Sequence, residues 1–265
     1  MRISRQHRHY PEMKDYMWAI IVAGGSGSRM QADVPKQFME LCGKPVLMHS
    51  ISVFSNACKD IRILVVLPAL QMEYWQELCS RHGFTMPHLI AEGGATRFHS
   101  VKNGLSLLPD EGLVAIHDGV RPLTSRQTIT DCFREAASSG CAVPVMPLND
   151  SVREVSEQTS RMLDRSSLRL VQTPQVFDIA LLKKAYEQEY TSAFTDDASV
   201  FEKAGYTIRL TAGNVENIKI TTPNDLIVAE ALLKQTTFPF RTTASFFLSS
   251  AAFLCNFFVK ISYIM

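Results

Sequence analysis

The run Ala23-Gly24-Gly25-Ser26-Gly27-Ser28-Arg29-Met30 follows an apolar stretch, and its residue types suit anion binding. Without Cβ atoms, the backbone N–H groups around Gly24, Gly25 and Gly27 can approach phosphate oxygens closely. Arg29 adds a charge-assisted fork for the same anion. The run is not a Walker A loop, because no Gly-Lys-Ser/Thr follows. Counted from Gly25, the third glycine of a dinucleotide fingerprint falls on Met30. A generic tight turn is the plain alternative. Just downstream, Pro35 fixes its own backbone and restricts Val34, so Lys36 is held where it can return to the same phosphates. Far along the chain, Asn217-Ile218-Lys219-Ile220-Thr221 alternates in a way that predicts a strand. Ile218 and Ile220 would face the core, with Asn217, Lys219 and Thr221 on the ligand side. His117-Asp118-Gly119-Val120-Arg121-Pro122 offers an acceptor, Asp118, braced by Arg121, or else a structural Asp–Arg pair.

Apolar stretches that alternate with helix-like segments must position these groups. Strands are expected at 18–23, 61–67, 88–91, 113–117 and 142–145, with helices at 46–56, 71–81, 96–108 and 125–139. The continuous runs Ile20-Ile21-Val22 and Ile63-Leu64-Val65-Val66-Leu67 imply burial on both faces. The fold class is therefore α/β, a doubly wound and mostly parallel sheet. In such sheets ligands bind at the carboxyl ends of strands. The rhythm breaks at about 147–170. Val152–Val155, a polar turn at 156–160 and Leu168–Val171 read there as a projecting β-hairpin arm. An isolated hairpin is marginal in water, so a second subunit is its expected partner. Helices follow at 178–189 and 196–203, strands near 207–210 and 217–220, and a last helix begun by Thr222-Pro223. Asp196 and Asp197 suit either a ligand contact or a helix start.

Composition bounds the rest. The 265 residues suit one large domain, read as 17–234 with the arm, and a hydrophobic fraction of 46% supports a real core. A net charge of +1 predicts neither a nucleic-acid groove nor attraction to anionic membranes. Six scattered cysteines form no CxxC pair or zinc spacing, and the histidines are equally dispersed, so no dedicated metal site is expected. Reduced thiols and the lack of an apolar signal core point to the cytoplasm. Residues 1–16 and 235–265 read as atypical extensions, with Met17 a candidate functional start. The apolar tail from Phe246 approaches the length of a membrane span, but Ser249, Ser250, Asn256 and Lys260 interrupt it. It is therefore read as lying outside the folded domain.

The motifs in order resemble those of the cytidylyltransferases that make CDP-linked polyols, and most of all the 2-C-methyl-D-erythritol 4-phosphate cytidylyltransferase family. The resemblance rests on Gly24–Met30 with Pro35-Lys36-Gln37, Gly93-Gly94 with Arg97 and Ser100, and His117–Pro122. It continues through Gln172-Thr173-Pro174-Gln175, Thr195-Asp196-Asp197-Ala198 and Asn217–Thr221, and covers about residues 17–234. It implies a Rossmann-like nucleotidyltransferase that binds CTP at Ala23, Gly24, Gly25, Gly27, Gly93, Gly94 and Ser100. Lys36 and Lys219 would act at the α-phosphate, and Arg29 would hold the β- and γ-phosphates. A polyol phosphate would meet Asp118, Arg121, Ser151, Arg165, Thr173 and Thr195. Ser151 and Arg165, on the arm, would serve a partner's site if the arm swaps across a homodimer. Mg²⁺ would be bound mainly through the CTP phosphates. Ala95 stands where one family variant carries an acidic residue, which removes a possible sugar contact.

Two rivals use the same residues. Ribitol-5-phosphate cytidylyltransferases share the loop, the lysines and Gln172–Gln175, although Asp164–Arg169 looks more like the erythritol enzymes. A non-catalytic nucleotide-binding module on the same fold would have no need of both Lys36 and Lys219. A sugar-nucleotide glycosyltransferase would need an Asp-x-Asp metal site at a strand end, and none is present.

Overall fold

A computed structural model of the chain describes residues 17–25 and 34–237. Gly27, Arg29, residues 1–16 and residues 238–265, including the apolar tail, lie outside the described residues. The first element, β1 (Met17–Val22), lies between two parallel neighbours, β4 (Arg62–Leu67) and β6 (Leu113–Asp118), and β5 (Leu89–Glu92) continues the sheet beyond β4. On the other side of β6, β11 (Gln175–Asp178) runs antiparallel to both β6 and β7 (Cys141–Pro147). Strand β10 (Arg169–Val171) pairs antiparallel with β7, and β12 (Leu210–Ala212) pairs parallel with it. A short two-strand ladder, β2 (Glu40–Leu41) and β3 (Lys44–Pro45), lies apart from this sheet.

Both faces of the central strands are covered, as their unbroken apolar runs require. Ala19 and Ile21 of β1, with Ile63, Val65 and Leu67 of β4, pack beneath α1 (Val46–Ala57), α2 (Ala69–Arg81) and α4 (Arg126–Ser139). The alternate residues Trp18, Ile20, Leu64 and Val66 pack against α3 (Arg97–Ser106), α5 (Ile179–Ala185) and α6 (Asp197–Lys203). Caps fix where the helices begin and end. Thr96 accepts from the His99 N–H and Ser125 from that of Thr128, while Gly140 closes α4 in the left-handed region at φ 87°.

Four expectations need correction. The arm's ladder joins β8 (Val152–Val155) to β9 (Ser160–Leu163), and Leu168–Val171 is not its second strand. That segment instead supplies β10, because the end of β7 at Val145–Pro147 offers unpaired backbone groups within reach. Residues 217–220 form no strand. Ile220 donates one backbone bond to the Val120 carbonyl, and Asn217 turns inward and is fully buried, so simple alternation fails there. Helix α5 stops at Ala185, short of Glu189, where the Gln188 amide donates to the Ala185 and Val200 carbonyls. The strand expected near 207–210 is shifted to Leu210–Ala212.

The chain divides into two compact units, residues 1–229 and 230–265. Helix α7 (Pro223–Thr237) crosses that boundary, and its end is the described part of the second unit. Its start is held by Asp225, whose carboxylate accepts from the backbone N–H groups and hydroxyls of Thr221 and Thr222. Among the described residues, no helix is long and apolar enough to cross a membrane.

Candidate active site

A cleft of about 550 Å³ opens at the carboxyl ends of β1, β4, β5 and β6, where a sheet of this type places its ligands. The chain leaves each strand along its neighbour: the Ala23 N–H donates to the Val66 carbonyl, Gly93 to Leu67 and Gly119 to Val22. These bonds carry the ladder into the loops and hold Ala23, Gly24, Gly93 and Gly94 at the rim.

Lys36 begins a 3₁₀ turn, Lys36–Phe38, that is tied to the glycine run. The buried Gln37 amide donates to the Ala23 carbonyl at 2.8 Å and to Gln71 Oε1 at 2.8 Å. Lys36 consequently lies along Gly25, and a Cβ placed on Gly25 would sit 3.9 Å from the Lys36 ammonium. At the opposite rim the Gly94 N–H donates to Ser100 Oγ at 3.0 Å, and that hydroxyl donates to the Thr96 carbonyl at 3.0 Å. A Cβ on Gly94 would overlap the His99 Cβ, so this close approach of loop to helix needs glycine.

The floor of the cleft is a network of charges. Asp118 lies 3.0 Å from Lys219 Nζ, 3.3 Å from Arg121 Nε and 3.5 Å from Arg97 Nε. Burial alone would raise its pKa, but Arg97, Lys219 and Arg121 outweigh that and hold the carboxyl well below its ordinary range. Arg97 also donates to the fully buried Asp197 at 2.7 Å, and Asp197 accepts from the Tyr186 hydroxyl at 2.6 Å. Burial opposes the charge on Arg97, yet Asp197 and then Asp118 raise its pKa overall. Burial and the nearby Asp197 carboxylate keep Tyr186 protonated.

Behind Asp118 lies a neutral relay. The Asp118 N–H donates to Thr173 Oγ1 at 3.1 Å, and that oxygen lies 3.0 Å from His117 Nδ1. His117 Nε2 lies 3.2 Å from the Arg121 carbonyl. Burial lowers the His117 pKa to about 4, so near neutral pH the ring carries one proton. These partners fit that proton on Nε2, with Nδ1 accepting from Thr173.

The cleft brings together Ala23, Gly24, Gly25, Lys36, Gly93, Gly94, Ser100, Asp118 and Lys219. Arg121 braces Asp118 from outside the lining and also donates to the Asn217 carbonyl at 2.8 Å. Thr173 is buried beneath Asp118 and does not line the cleft. Thr195, Ser151 and Arg165 are exposed and lie outside the lining. Arg165 donates to the Asn149 carbonyl at the base of the arm. Asp196 caps α6 through a capping box with Ser199, so its carboxylate does the work of a helix start.

Arg97 and Gln37 line the cleft too, although the sequence motifs that contain them assign neither a role. Their signal was adjacency: Gln37 follows Lys36, and Arg97 opens the helix after the Gly93-Gly94 turn. Gln172, Thr173 and Gln175 turn out to be braces. Gln172 donates to the Asn214 carbonyl, Thr173 holds Asp118, and Gln175 donates to Asp196 and accepts from the Ala198 N–H. Asn217 completes the support for the Lys219 segment, donating to the Thr173 carbonyl and accepting from the Thr124 hydroxyl.

A glycine-lined rim with Lys36 and Lys219 facing one cleft, at the carboxyl edge of a doubly wound sheet, defines an α/β nucleotidyltransferase. A family profile described as 2-C-methyl-D-erythritol 4-phosphate cytidylyltransferase matches residues 17–235. A protein of that name from Bacteroides fragilis is 54% identical over 215 residues, which is 81% of this chain and 98% of the relative. One from Porphyromonas gingivalis is 48% identical over 222 residues, covering 83% of this chain and 99% of its own length. The crystal structure of 4-diphosphocytidyl-2C-methyl-D-erythritol synthase from Anaerococcus prevotii is 28% identical with a TM-score of 0.71, covering 83% of this chain and 97% of that one. The Thermus thermophilus 2-C-methyl-D-erythritol 4-phosphate cytidylyltransferase is 31% identical with a TM-score of 0.63, covering 81% and 98%. The chain belongs to the 2-C-methyl-D-erythritol 4-phosphate cytidylyltransferase family, enzymes of CTP-dependent cytidylyl transfer in isoprenoid synthesis.

Proposed function

We propose that the cleft binds CTP along the glycine rim and transfers its cytidylyl group to 2-C-methyl-D-erythritol 4-phosphate. The observation that carries this reading is the meeting of Lys36 and Lys219, from opposite ends of the domain, in one cleft beside Gly24 and Gly25. An oxygen of the substrate's phosphate attacks the α-phosphorus in line. A new P–O bond forms, the α–β bridge breaks, and pyrophosphate leaves with its electron pair. The attacking phosphate is already ionised at neutral pH, so no general base is needed and catalysis is positioning with charge stabilisation. Lys36, held against Gly25, stabilises charge on the α-phosphate, and Lys219 acts from the Asp118 side of the same cleft. Arg29 is assigned to the β- and γ-phosphates from the family motif. Gly93, Gly94 and Ser100 form the nucleoside end, where a loop held tightly on α3 presents backbone groups.

Magnesium fits this donor set through the nucleotide. Among the described residues no group of three or more His, Cys, Asp or Glu side chains could hold a metal, and both oxygens of Asp118 face cations. The triphosphate and water would therefore hold Mg²⁺, which supplies charge neutralisation and a Lewis acid.

The polyol phosphate is assigned to Asp118, held in place by Arg121 and Thr173, together with Thr195, Ser151 and Arg165, the last two supplied across a homodimer by the arm. Supporting the dimer, Val155 and Met162 of the arm are 76% and 73% exposed in the single chain. The catalytic domain is taken as residues 17–234. A cytoplasmic location agrees with the five described cysteines being unpaired thiols.

The test is pyrophosphate release from CTP and Mg²⁺ with 2-C-methyl-D-erythritol 4-phosphate or ribitol 5-phosphate. Release with the first substrate and little with the second is expected. No release with either would leave a nucleotide-binding module.

A further inference from the structure

Asp197 lies outside the cleft lining, yet it connects to the charged floor in one step. Its side chain is fully buried at the first turn of α6, and its oxygens are divided between Arg97 at 2.7 Å and the Tyr186 hydroxyl at 2.6 Å. Arg97 opens α3 and turns its Nε edge toward Asp118 Oδ1 at 3.5 Å, while the other oxygen of Asp118 meets Lys219 and Arg121. Two carboxylates and three cations thus alternate across the floor, with Arg97 shared between the carboxylates. The split matters because Asp197 draws one arm of the guanidinium away from the cleft. Asp118 then receives from Arg97 only the longer, side-on contact, and its Oδ2 is left to Lys219 and Arg121.

We propose that Asp197 is a positioning residue for the transfer reaction. By holding Arg97 from behind, it keeps the guanidinium from taking Asp118 wholly and so fixes where the Lys219 ammonium stands. If Asp197 loses its charge, Asp118 becomes the one carboxylate facing Arg97. A bidentate Arg–carboxylate pair is geometrically better than a single ammonium contact, so Arg97 displaces Lys219. Tyr186 sets the rotamer of Asp197 through its hydroxyl and stacks on Phe98 at 4.6 Å between ring centres, which anchors the arrangement in the core between α3 and α5.

This inference rests on the function proposed above, and the test separates the two. The parent protein must first release pyrophosphate from CTP and the polyol phosphate; failure there refutes the function. In Asp197→Asn, with fold checked by circular dichroism and active sites counted by CTP binding, kcat per site is expected to fall at least tenfold. The CTP KM should stay within threefold of the parent. Tyr186→Phe keeps the carboxylate and should show a smaller loss in the same direction, so it serves if Asp197→Asn does not fold. Independently of turnover, acylation of Lys219 in the ligand-free variant, followed by mass spectrometry with the exposed Lys59 as reference, should run several-fold faster than in the parent. Parental kcat per site, or parental Lys219 labelling in a folded variant, overturns the proposal. Equal loss of CTP affinity and turnover, the mark of general loosening, overturns it as well.

Discussion

Acid should destabilise this enzyme through His117 before any carboxylate of the cleft is protonated. The ring is fully buried between Thr173 and the Arg121 carbonyl, and its pKa is lowered from 6.5 to about 4. The unfolded chain therefore takes up a proton at this position below about pH 6.5, whereas the folded protein resists until about pH 4. Between those values the unfolded state binds more protons, so stability falls as pH falls. A shift of this size at about 1.4 kcal/mol per pH unit gives roughly 3 kcal/mol in full, and about 2.5 kcal/mol of it is lost by pH 4.5. Asp118, held below its ordinary range by Arg97, Lys219 and Arg121, stays ionised over the same interval and adds its own loss only in stronger acid. The measurement is denaturant unfolding at a series of pH values between 7.5 and 4.5 for the parent and His117→Gln. The variant starts less stable because its packing and hydrogen bonds differ, but it has no ring to titrate. Its stability should thus decline less steeply, with the two curves converging by about 2–3 kcal/mol at the acid end. Parallel curves would refute the assignment of His117 as a buried neutral ring.

The other expectations concern the cleft and its supports. Lys36→Ala and Lys219→Ala should each lower turnover about a hundredfold or more with the fold retained, since one transition-state charge contact contributes about 3–4 kcal/mol; near-normal pyrophosphate release in either would remove that lysine from the mechanism. Arg165→Ala should raise the KM for the polyol phosphate and leave that for CTP unchanged, a split visible in two-substrate kinetics. Gly94→Ala forces a Cβ into His99 and should lower the melting temperature through about 1–3 kcal/mol of overpacking while weakening CTP binding. Asn217→Ala leaves the Thr173 carbonyl and the Thr124 hydroxyl without this partner, and should cost about 1–3 kcal/mol in denaturant unfolding together with a fall in kcat.

By itself the sequence determined the layered α/β architecture, because apolar runs such as Ile63–Leu67 can be buried only with helices on both faces. It also marked the glycine rim and the place of Lys36 beside it, since a proline-held lysine near glycines is a local signal. The starts of α3 and α4 were legible to within a residue, at 96 and 125, and the structure shows Thr96 and Ser125 to be their caps. Tertiary structure alone decided which strand Leu168–Val171 would join, because the unpaired edge of β7 is made by residues more than twenty positions earlier. It alone decided that Asn217 turns inward, its partners being Thr124 and Thr173 on separate elements. The charged floor is of the same kind. Asp118, Arg97, Lys219 and Asp197 come from four distant segments, and Coulomb interactions act through space rather than along the chain. No local pattern of residues encodes that meeting; it exists only once the sheet has brought the ends of its strands together.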